Sequence, residues 1–188
     1  MTRPIKGLWL FVLSVLGLFS GAASAATTSV LCNNNIQGDS TYAYAPGCID
    51  VLAWSWGLTG TTTGGTGGGQ EVSVANLQDF SFTKYIDSAS DNLFNVAATQ
   101  KMLTGIVEFR DYNSACGGGC TTPYLTIHMN HVRVTSQSMG GSDGDDRHTE
   151  NVTLSFNEIS YCFTTTANKG NPQCFAFNKT LNQSIPAF

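Results

Sequence analysis

The side chains of this sequence that could bind a transition metal are two cysteines and three histidines. Cys116-Gly-Gly-Gly-Cys120 stands upstream of His128, His131 and His148, and thiolate and imidazole groups are the ligands that zinc prefers. Zinc also needs ligands that converge on one point. His128 and His131, however, lie three residues apart on a predicted strand, which turns their side chains to opposite faces. We therefore predict a disulfide or a turn at Cys116 and Cys120, and no metal site.

A glycine-rich turn carries an acidic cluster that could bind calcium weakly. Its carboxylates belong to Asp143, Asp145, Asp146 and Glu150. The spacing departs from that of an EF-hand loop, because Arg147 and His148 stand where ligands would be expected. We predict a structural turn in which Arg147 pairs with one of these carboxylates.

The sequence gives no positive indication of catalysis. Neither a His-Glu-x-x-His helix nor a phosphate-binding loop occurs in it. Glu108 and Glu158 are isolated carboxylates on predicted strands, and we interpret them as ordinary surface residues. We therefore predict no catalytic residues and no cofactor.

The N-terminus has the pattern of a secretory signal peptide. Two basic residues precede an almost wholly apolar run over residues 7–19, and Ala23-Ser24-Ala25 fits the small-x-small cleavage pattern. The run is shorter than the about 20 residues of a membrane-spanning helix. We predict a signal peptide over residues 1–25, one domain over residues 26–188 without a membrane span, and a secreted or periplasmic protein.

The charge balance argues against nucleic acid as a partner. The sequence has 9 Lys and Arg residues and 13 Asp and Glu residues, a net charge of -4. Cleavage after Ala25 removes two of the basic residues, so the balance becomes 7 against 13, a net charge of -6. Nucleic-acid binding depends on neutralising phosphates with basic side chains.

All six cysteines follow the predicted cleavage point, and an exported protein meets oxidising conditions that favour disulfides. Six cysteines allow many pairings, and the sequence does not select among them. Sequential pairing is the simplest hypothesis, because each bond would then close a local loop or hairpin. The candidates in chain order are Cys32, Cys48, Cys116, Cys120, Cys162 and Cys174.

Apolar residues recur at every second position through most of the chain, as in half-buried strands. The phase of this alternation shifts after Phe156, which predicts a β-bulge near Asn157 or Glu158. The predicted strands cover residues 29–32, 48–57, 79–84, 106–112, 124–134, 152–157 and 173–177. Many short strands with one helix predict a mainly β fold, a small antiparallel β-barrel with one flanking α-helix.

The predicted helix follows Ser88-Ala-Ser-Asp91, which resembles a capping box. After it, a set of residues follows helical spacing and predicts about three turns. This set comprises Leu93, Val96, Ala97 and, one turn further, Gln100 and Lys101.

Residues 57–70 read GLTGTTTGGTGGGQ and are too rich in glycine to be held by their own side chains. We interpret them as a long loop that is mobile in the isolated chain. Two readings remain open: a solvated hairpin tip, or a loop that becomes ordered only against a neighbouring subunit.

Three segments occur in a characteristic order: CIDVLAWSWG over residues 48–57, VSVANLQDFSFTKYIDSASDNLF over residues 72–94 and GGSDGDDRHTENVTLSF over residues 140–156. Together they resemble the haemolysin-coregulated protein (Hcp) family, whose members build the tube of bacterial type VI secretion systems. With the C-terminal hairpin, the resemblance spans nearly the whole chain after residue 25. The signal peptide and the cysteines are departures from the family pattern.

The resemblance implies a self-assembling structural protein whose barrels pack into six-membered rings that can stack into a hollow tube. It also implies that the loop after Trp-Ser-Trp reaches toward neighbouring subunits, and that the lumen can carry small effector proteins. Because of the signal peptide, we expect an Hcp-like tube component or an exported derivative of it. The alternative is a secreted monomeric or dimeric binding module on the same barrel. The candidates for the interface loop are Leu58, Thr59, Thr61, Thr62, Thr63, Thr66 and Gln70, and those for the lumen are Asn92, Asn95, Gln100 and Lys101.

Overall fold

Strands dominate the structure, as the alternating sequence pattern predicts. The computed structural model describes residues 27–62, 73–113, 121–165 and 170–188, so the signal peptide prediction lies outside the described residues. Within these ranges the elements are β1 Thr27–Cys32, β2 Ile49–Val51, β3 Ala53–Ser55, β4 Leu58–Thr62, β5 Ser73–Leu77, β6 Phe80–Tyr85, α1 Ser90–Thr99, β7 Val107–Asn113, β8 Leu125–Asn130, β9 Arg133–Gly140, β10 Thr149–Ser155, β11 Glu158–Phe163, β12 Gln173–Asn178 and β13 Gln183–Ile185.

The strands form three antiparallel sheets. One sheet has seven strands in the order β13-β12-β11-β8-β7-β1-β2, and a second has four in the order β3-β6-β10-β9. The third is a two-stranded pair, β4 and β5. In the described residues the two larger sheets do not close into one hydrogen-bonded cylinder. The mainly β, antiparallel fold with one helix is confirmed, and its barrel is open.

The chain passes between the two larger sheets at corners that the strand predictions did not include. The predicted strand over residues 48–57 is divided at Leu52, where β2 of the larger sheet gives way to β3 of the smaller one. The predicted strand over residues 124–134 is likewise two strands, because His131 has a positive φ of 56° and turns the chain. At both corners the buried apolar set shifts by one position, from Ile49 and Val51 to Trp54 and Trp56, and from Ile127 and Met129 to Val132 and Val134. The single-strand predictions overlooked this shift.

A third corner explains the phase shift after Phe156. The chain leaves β10 in the four-stranded sheet and enters β11 in the seven-stranded sheet at this point. The bulge predicted near Asn157 or Glu158 is therefore wrong in position. A register irregularity does occur in β10, between Thr153 and Leu154, where β10 faces β9.

The core lies between the two larger sheets and is rich in aromatic rings. Phe80 of β6 and Phe109 of β7 are both fully buried, with ring centroids 5.2 Å apart. Trp54 of β3 packs beside them, with its ring centroid 4.8 Å from that of Phe109. Full burial of one such ring contributes about 1.5–3 kcal/mol. These contacts join one sheet to the other.

Helix α1 begins one residue later than the predicted capping box implies, because its N-cap is Ala89 rather than Ser88. Ala89 has no side-chain cap. Reciprocal hydrogen bonds occur one residue upstream of the predicted pair: the Ala89 N–H donates to Asp87 Oδ1 at 2.9 Å, and the Asp87 N–H donates to Ser90 Oγ at 3.0 Å. The helix ends at Thr99, and Gln100 follows with a left-handed φ of 54°. The helical spacing predicted for Gln100 and Lys101 is therefore wrong.

A buried ion pair connects the start of this helix to the four-stranded sheet. Lys84 Nζ lies 2.5 Å from Glu150 Oε1 and 2.6 Å from Asp87 Oδ1, and both the Lys84 and Glu150 side chains are 0% exposed. Ser90 Oγ donates to Glu150 Oε1 at 2.8 Å, and Gln137 Nε2 donates to Glu150 Oε2 at 2.7 Å. The charges are thus paired and hydrogen-bonded, as burial requires.

Candidate assembly surface

A two-stranded arm follows the Trp-Ser-Trp segment. Trp54 and Trp56 are two residues apart, so both side chains point to the same side of the chain. Trp54 packs in the core, and the ring centroid of Trp56 lies 6.2 Å from that of Tyr161 on β11. From there β4 leaves the body and pairs with β5, with Leu58 opposite Leu77. In the described residues these two strands pair only with each other.

An apolar groove of about 180 Å³ separates the base of this arm from the hairpin of β11 and β12. The arm side contributes Trp56, Leu58, Ala75 and Leu77. The hairpin side contributes Ile159, Tyr161, Phe175 and Phe177. We call the groove and its eight lining residues the assembly surface.

Two side chains of the assembly surface remain largely open to solvent. Leu58 is 56% exposed and Phe175 is 55% exposed, although both are large and apolar. Contiguous apolar surface of this kind marks sites of interaction rather than ordinary scattered exposure. The arrangement can bind an apolar partner surface.

The interface prediction for residues 57–70 is partly outside the described residues. Thr63, Thr66 and Gln70 fall there, while Leu58, Thr59, Thr61 and Thr62 belong to β4. This part of the predicted loop is therefore a strand, because β5 supplies its hydrogen-bonding partner. The resemblance predicted this segment as an interface loop and not as a strand pair, and its interface role stays a prediction. The hairpin half of the groove was not among the candidates. Its signal was present as Phe175-Ala-Phe177, an apolar alternation at an exposed strand.

The four lumen candidates do not form one group. Asn92 and Asn95 line a polar cleft beside α1, where Asn92 Nδ2 donates to the Asn35 carbonyl at 2.9 Å. Gln100 lies beyond the helix end and its Nε2 donates to the Ala97 carbonyl at 2.6 Å. Lys101 is exposed. Only the first two candidates share a surface, and their role in a lumen stays a prediction.

The structure joins Cys32 to Cys48 and Cys162 to Cys174 by disulfides. These are two of the three sequential pairs. In both cases the bonded residues lie on neighbouring antiparallel strands or directly beside them. The third predicted pair, Cys116 and Cys120, lies outside the described residues.

The histidines of the zinc hypothesis are held in other contacts. His128 Nε2 lies 3.1 Å from Glu108 Oε1, and its Nδ1 contacts the main-chain oxygen of Phe188. His131 occupies the turn after β8 and lies 3.8 Å from Glu158 Oε2. Among the described residues, no group of three or more His, Cys, Asp or Glu side chains could hold a metal ion.

The acidic turn is divided between surface and core. Asp143, Asp145 and Asp146 are exposed, whereas Glu150 is buried in the ion pair with Lys84 and does not belong to the cluster. Arg147 does not pair with these carboxylates as predicted. Its guanidinium carbon lies 4.5 Å from the centroid of the Tyr85 ring, a cation–π contact.

The same turn contains Gly140-Gly-Ser142-Asp-Gly144, which matches the letters of the Gly-x-Ser-x-Gly nucleophile elbow. The elbow requires a sharp turn from a strand into a helix. Here the segment joins β9 to β10, and the Ser142 N–H donates to Asp145 Oδ2 at 3.1 Å. The match is one of letters and not of geometry.

Two glutamates interpreted as ordinary surface residues are in fact hydrogen-bonded. Glu158 accepts from Asn130 Nδ2 and Asn178 Nδ2, each at 2.9 Å. Glu108 contacts His128 and Arg110. Burial alone would raise the pKa of Glu108, but the hydrogen bonds from His128 and Arg110 lower the pKa to about 2. In turn, the hydrogen bond to Glu108 raises the pKa of His128 despite its partial burial.

Among the described residues, no helix is both long enough and apolar enough to cross a membrane.

Comparison with known proteins agrees with the fold and with the sequence motifs. The family model described as "Type VI secretion system effector, Hcp" matches residues 30–163. A protein of Pseudomonas aeruginosa described as "Protein hcp1" is 38% identical over 111 residues, which cover 59% of this chain and 67% of the relative.

Solved structures give the same result. The crystal structure of Hcp1 from Salmonella typhimurium has a TM-score of 0.70 at 25% identity and covers 85% of this chain and 99% of that chain. A type VI secretion system effector from Yersinia pestis has a TM-score of 0.64 at 26% identity, covering 80% and 98% respectively. The chain therefore belongs to the Hcp family and is a tube component of the type VI secretion system.

Proposed function

We propose that copies of this chain assemble side by side into six-membered rings, which can stack into a tube, and that the assembly surface forms the contact between copies. One observation carries this proposal: an all-apolar groove lies open beside a two-stranded arm that pairs only with itself in the described residues. The role is structural rather than catalytic.

The proposed occupant of the groove is a second copy of this chain. A hairpin of two strands is only marginally stable alone and gains order when it packs against further surface. A ring also requires that one patch on each subunit meet a different patch on the next, because a self-complementary contact would stop at a dimer. The outer part of the arm and the groove at its base are two different patches of this kind on one subunit. Family membership supports the same occupant.

We propose further that the chain is exported after cleavage of residues 1–25 and assembles where its disulfides persist. Two features support export: the signal-peptide pattern of the sequence and the two disulfides between Cys32 and Cys48 and between Cys162 and Cys174. Small effector proteins within the tube are the further partner class that the family resemblance implies. Asn92 and Asn95, which share a polar cleft, stay candidates for such contacts together with Gln100 and Lys101.

Replacement of Phe175 by serine tests the assembly surface. Phe175 is 55% exposed in the single chain, so we expect little change in its folding stability. If a neighbouring copy buries the ring, the substitution costs about 1.5–3 kcal/mol per contact, or about ten- to hundredfold in affinity. Sedimentation velocity over a range of concentrations, with negative-stain electron microscopy, measures the assembly.

The matched control is Phe94→Ser. Phe94 lies on α1, is 60% exposed and does not line the groove. We expect Phe94→Ser to assemble like the wild type. Equal assembly of wild type and Phe175→Ser would contradict the proposed surface. A wild type that stays monomeric or dimeric at high concentration would instead support a secreted binding module on the same fold.

A further inference from the structure

The disulfide between Cys162 and Cys174 lies within the hairpin that forms one wall of the groove. Cys162 of β11 stands directly opposite Cys174 of β12, and the adjacent pair is Tyr161 opposite Phe175. Neighbouring residues in a strand point to opposite faces. The disulfide is therefore on the reverse of the hairpin, immediately behind the two aromatic residues that line the groove.

The outer half of β12 is supported by a strand on one side only. β11 pairs with β12 along its whole length, from Gln173 to Asn178. On the other side, β13 pairs only with Ala176, Phe177 and Asn178. Within the described residues, the Gln173–Phe175 end of β12 thus has its strand pairing with β11 alone. Besides that pairing and the covalent bond beside it, Phe175 has a ring contact with Phe177 of its own strand, with centroids 6.3 Å apart.

The other disulfide serves as a natural comparison. Cys32 and Cys48 lie at the β1 and β2 edge of the seven-stranded sheet, four strands away from β12. At the spacing of neighbouring strands this is about 19 Å. Cys48 is 8% exposed and packs with Val30 and Tyr112, whereas Cys174 is exposed. A thiol reagent in solution therefore reaches the Cys162–Cys174 bond more readily.

We propose that formation of the Cys162–Cys174 disulfide is the step that makes the chain competent for self-assembly. This inference rests on the proposed function. In the dithiol form the Gln173–Phe175 end of β12 frays, so this wall of the groove has no fixed position. A neighbouring copy that binds must then first order these residues. In the disulfide form the wall is held in place before the neighbour arrives, which removes that ordering cost.

The chemistry is a thiol–disulfide exchange with a disulfide-bearing oxidant. The two cysteine thiols lose two electrons and two protons, and the Cys162–Cys174 bond forms through a mixed disulfide. The oxidant's sulfur–sulfur bond breaks, and its two sulfurs take up the electrons and protons as thiols. A chain kept reduced would remain unassembled until it reached an oxidising compartment.

The test compares two variants of the full chain, exported into an oxidising compartment. C162V/C174V removes the bond but keeps two β-branched residues facing each other, which favours the strand pairing. C32V/C48V is the matched control at the remote disulfide. Assembly is measured by sedimentation velocity against concentration, and folding by far-ultraviolet circular dichroism and urea unfolding. We expect C162V/C174V to assemble about tenfold or more weakly and C32V/C48V to assemble like the wild type.

A second measurement uses the wild type in defined mixtures of reduced and oxidised glutathione. Loss of assembly is expected to follow reduction of Cys162 and Cys174, with faster hydrogen exchange at the Gln173–Phe175 end of β12, and reoxidation should restore both. This measurement decides the matter if C162V/C174V does not fold. If the wild type assembles and C162V/C174V assembles equally well, the disulfide switch is wrong while the proposed function stands. If the oxidised wild type does not assemble, the proposed function itself fails.

Discussion

Replacing Lys84 by methionine tests the buried ion pair between helix α1 and the four-stranded sheet. The Lys84 and Glu150 side chains are both 0% exposed, with Nζ and Oε1 2.5 Å apart. Without the ammonium group, the Glu150 carboxylate stays buried with hydrogen bonds only from Ser90 and Gln137, and Asp87 also loses its cation. Breaking a buried pair on one side costs about 3–5 kcal/mol. We expect the free energy of unfolding of Lys84→Met at pH 7 to fall by that amount.

Glu150→Gln should be less damaging, although it interrupts the same pair. Lys84 keeps the Asp87 carboxylate at 2.6 Å and also donates to the Tyr85 carbonyl and to Ser90 Oγ. Its charge therefore remains compensated, and we expect a loss of about 1–3 kcal/mol. The double variant K84M/E150Q should lose less stability than the sum of the two single losses. The reason is that it has neither the Lys84 cation nor the Glu150 carboxylate, so no Glu150 charge is left buried without a partner.

The pH dependence provides an independent check on the same pair. Burial alone would raise the pKa of Glu150, but hydrogen bonds from Lys84, Gln137 and Ser90 hold the pKa below its usual value of 4.5. In the wild type this carboxylate contributes stability above the unfolded pKa and loses it as pH falls through the lower folded pKa. In Lys84→Met the burial acts without the cation, so the pKa rises. The deficit of Lys84→Met relative to the wild type should therefore shrink as the pH is lowered from 7 toward 4.

Urea unfolding monitored by tryptophan fluorescence, at pH 7 and at several lower values, measures these differences from the midpoint and the slope. The reasoning would be refuted if Lys84→Met lay within about 1 kcal/mol of the wild type at pH 7 with an unchanged slope, since that is the size of an ordinary surface substitution. A deficit that grew on acidification would also contradict it.

Two further substitutions test other contacts of the seven-stranded sheet. The hydrogen bond from His128 to Glu108 raises the pKa of His128 above 6.5, so this stabilisation is complete below the unfolded pKa and disappears as pH rises through the folded pKa. His128→Gln should therefore flatten the stability profile at pH values above 6.5, measured by thermal unfolding. An unchanged slope would count against the contact. At Gly38 a Cβ would lie 2.6 Å from the Cys48 carbonyl oxygen and 2.8 Å from the Ile49 Cα, both backbone atoms that cannot move aside cheaply. Gly38→Ala should lower the free energy of unfolding by about 1–3 kcal/mol. Gly140→Ala should be nearly neutral, because no atom lies within 4 Å of its added Cβ. Equal stability of the two variants would contradict this packing.

Local sequence patterns predicted the elements that depend on neighbouring residues. The two-residue alternation indicated the strands at β1, β6, β7 and β12, and helical spacing around Leu93 indicated α1. These predictions succeed because side-chain direction in a strand or helix follows directly from the backbone repeat. The order of the motifs also sufficed to recognise the family.

Other features depended on residues far apart in the chain. The apolar alternation changes phase at Leu52 and at His131, but a change of phase does not say whether a strand bulges or the chain crosses to another sheet. Single strands were therefore predicted where the structure has two. Lys84 and Glu150 are 66 residues apart, and nothing local predicts that a lysine on a strand will find a buried carboxylate. The same reason explains why Glu108 was interpreted as ordinary surface although it contacts His128 of the neighbouring strand.

The sequence by itself determined the strand-rich class, the helix, the family and the presence of an exposed segment after Trp-Ser-Trp. Only the tertiary structure decided that β4 and β5 form an arm whose base faces Tyr161 and Phe175 across an apolar groove. It also decided that Cys162 and Cys174 lie behind that wall. The physical reason is that periodicity specifies only which way a side chain points from its own strand. A groove also requires two strands to be placed against each other, and that placement results from the packing of the whole core.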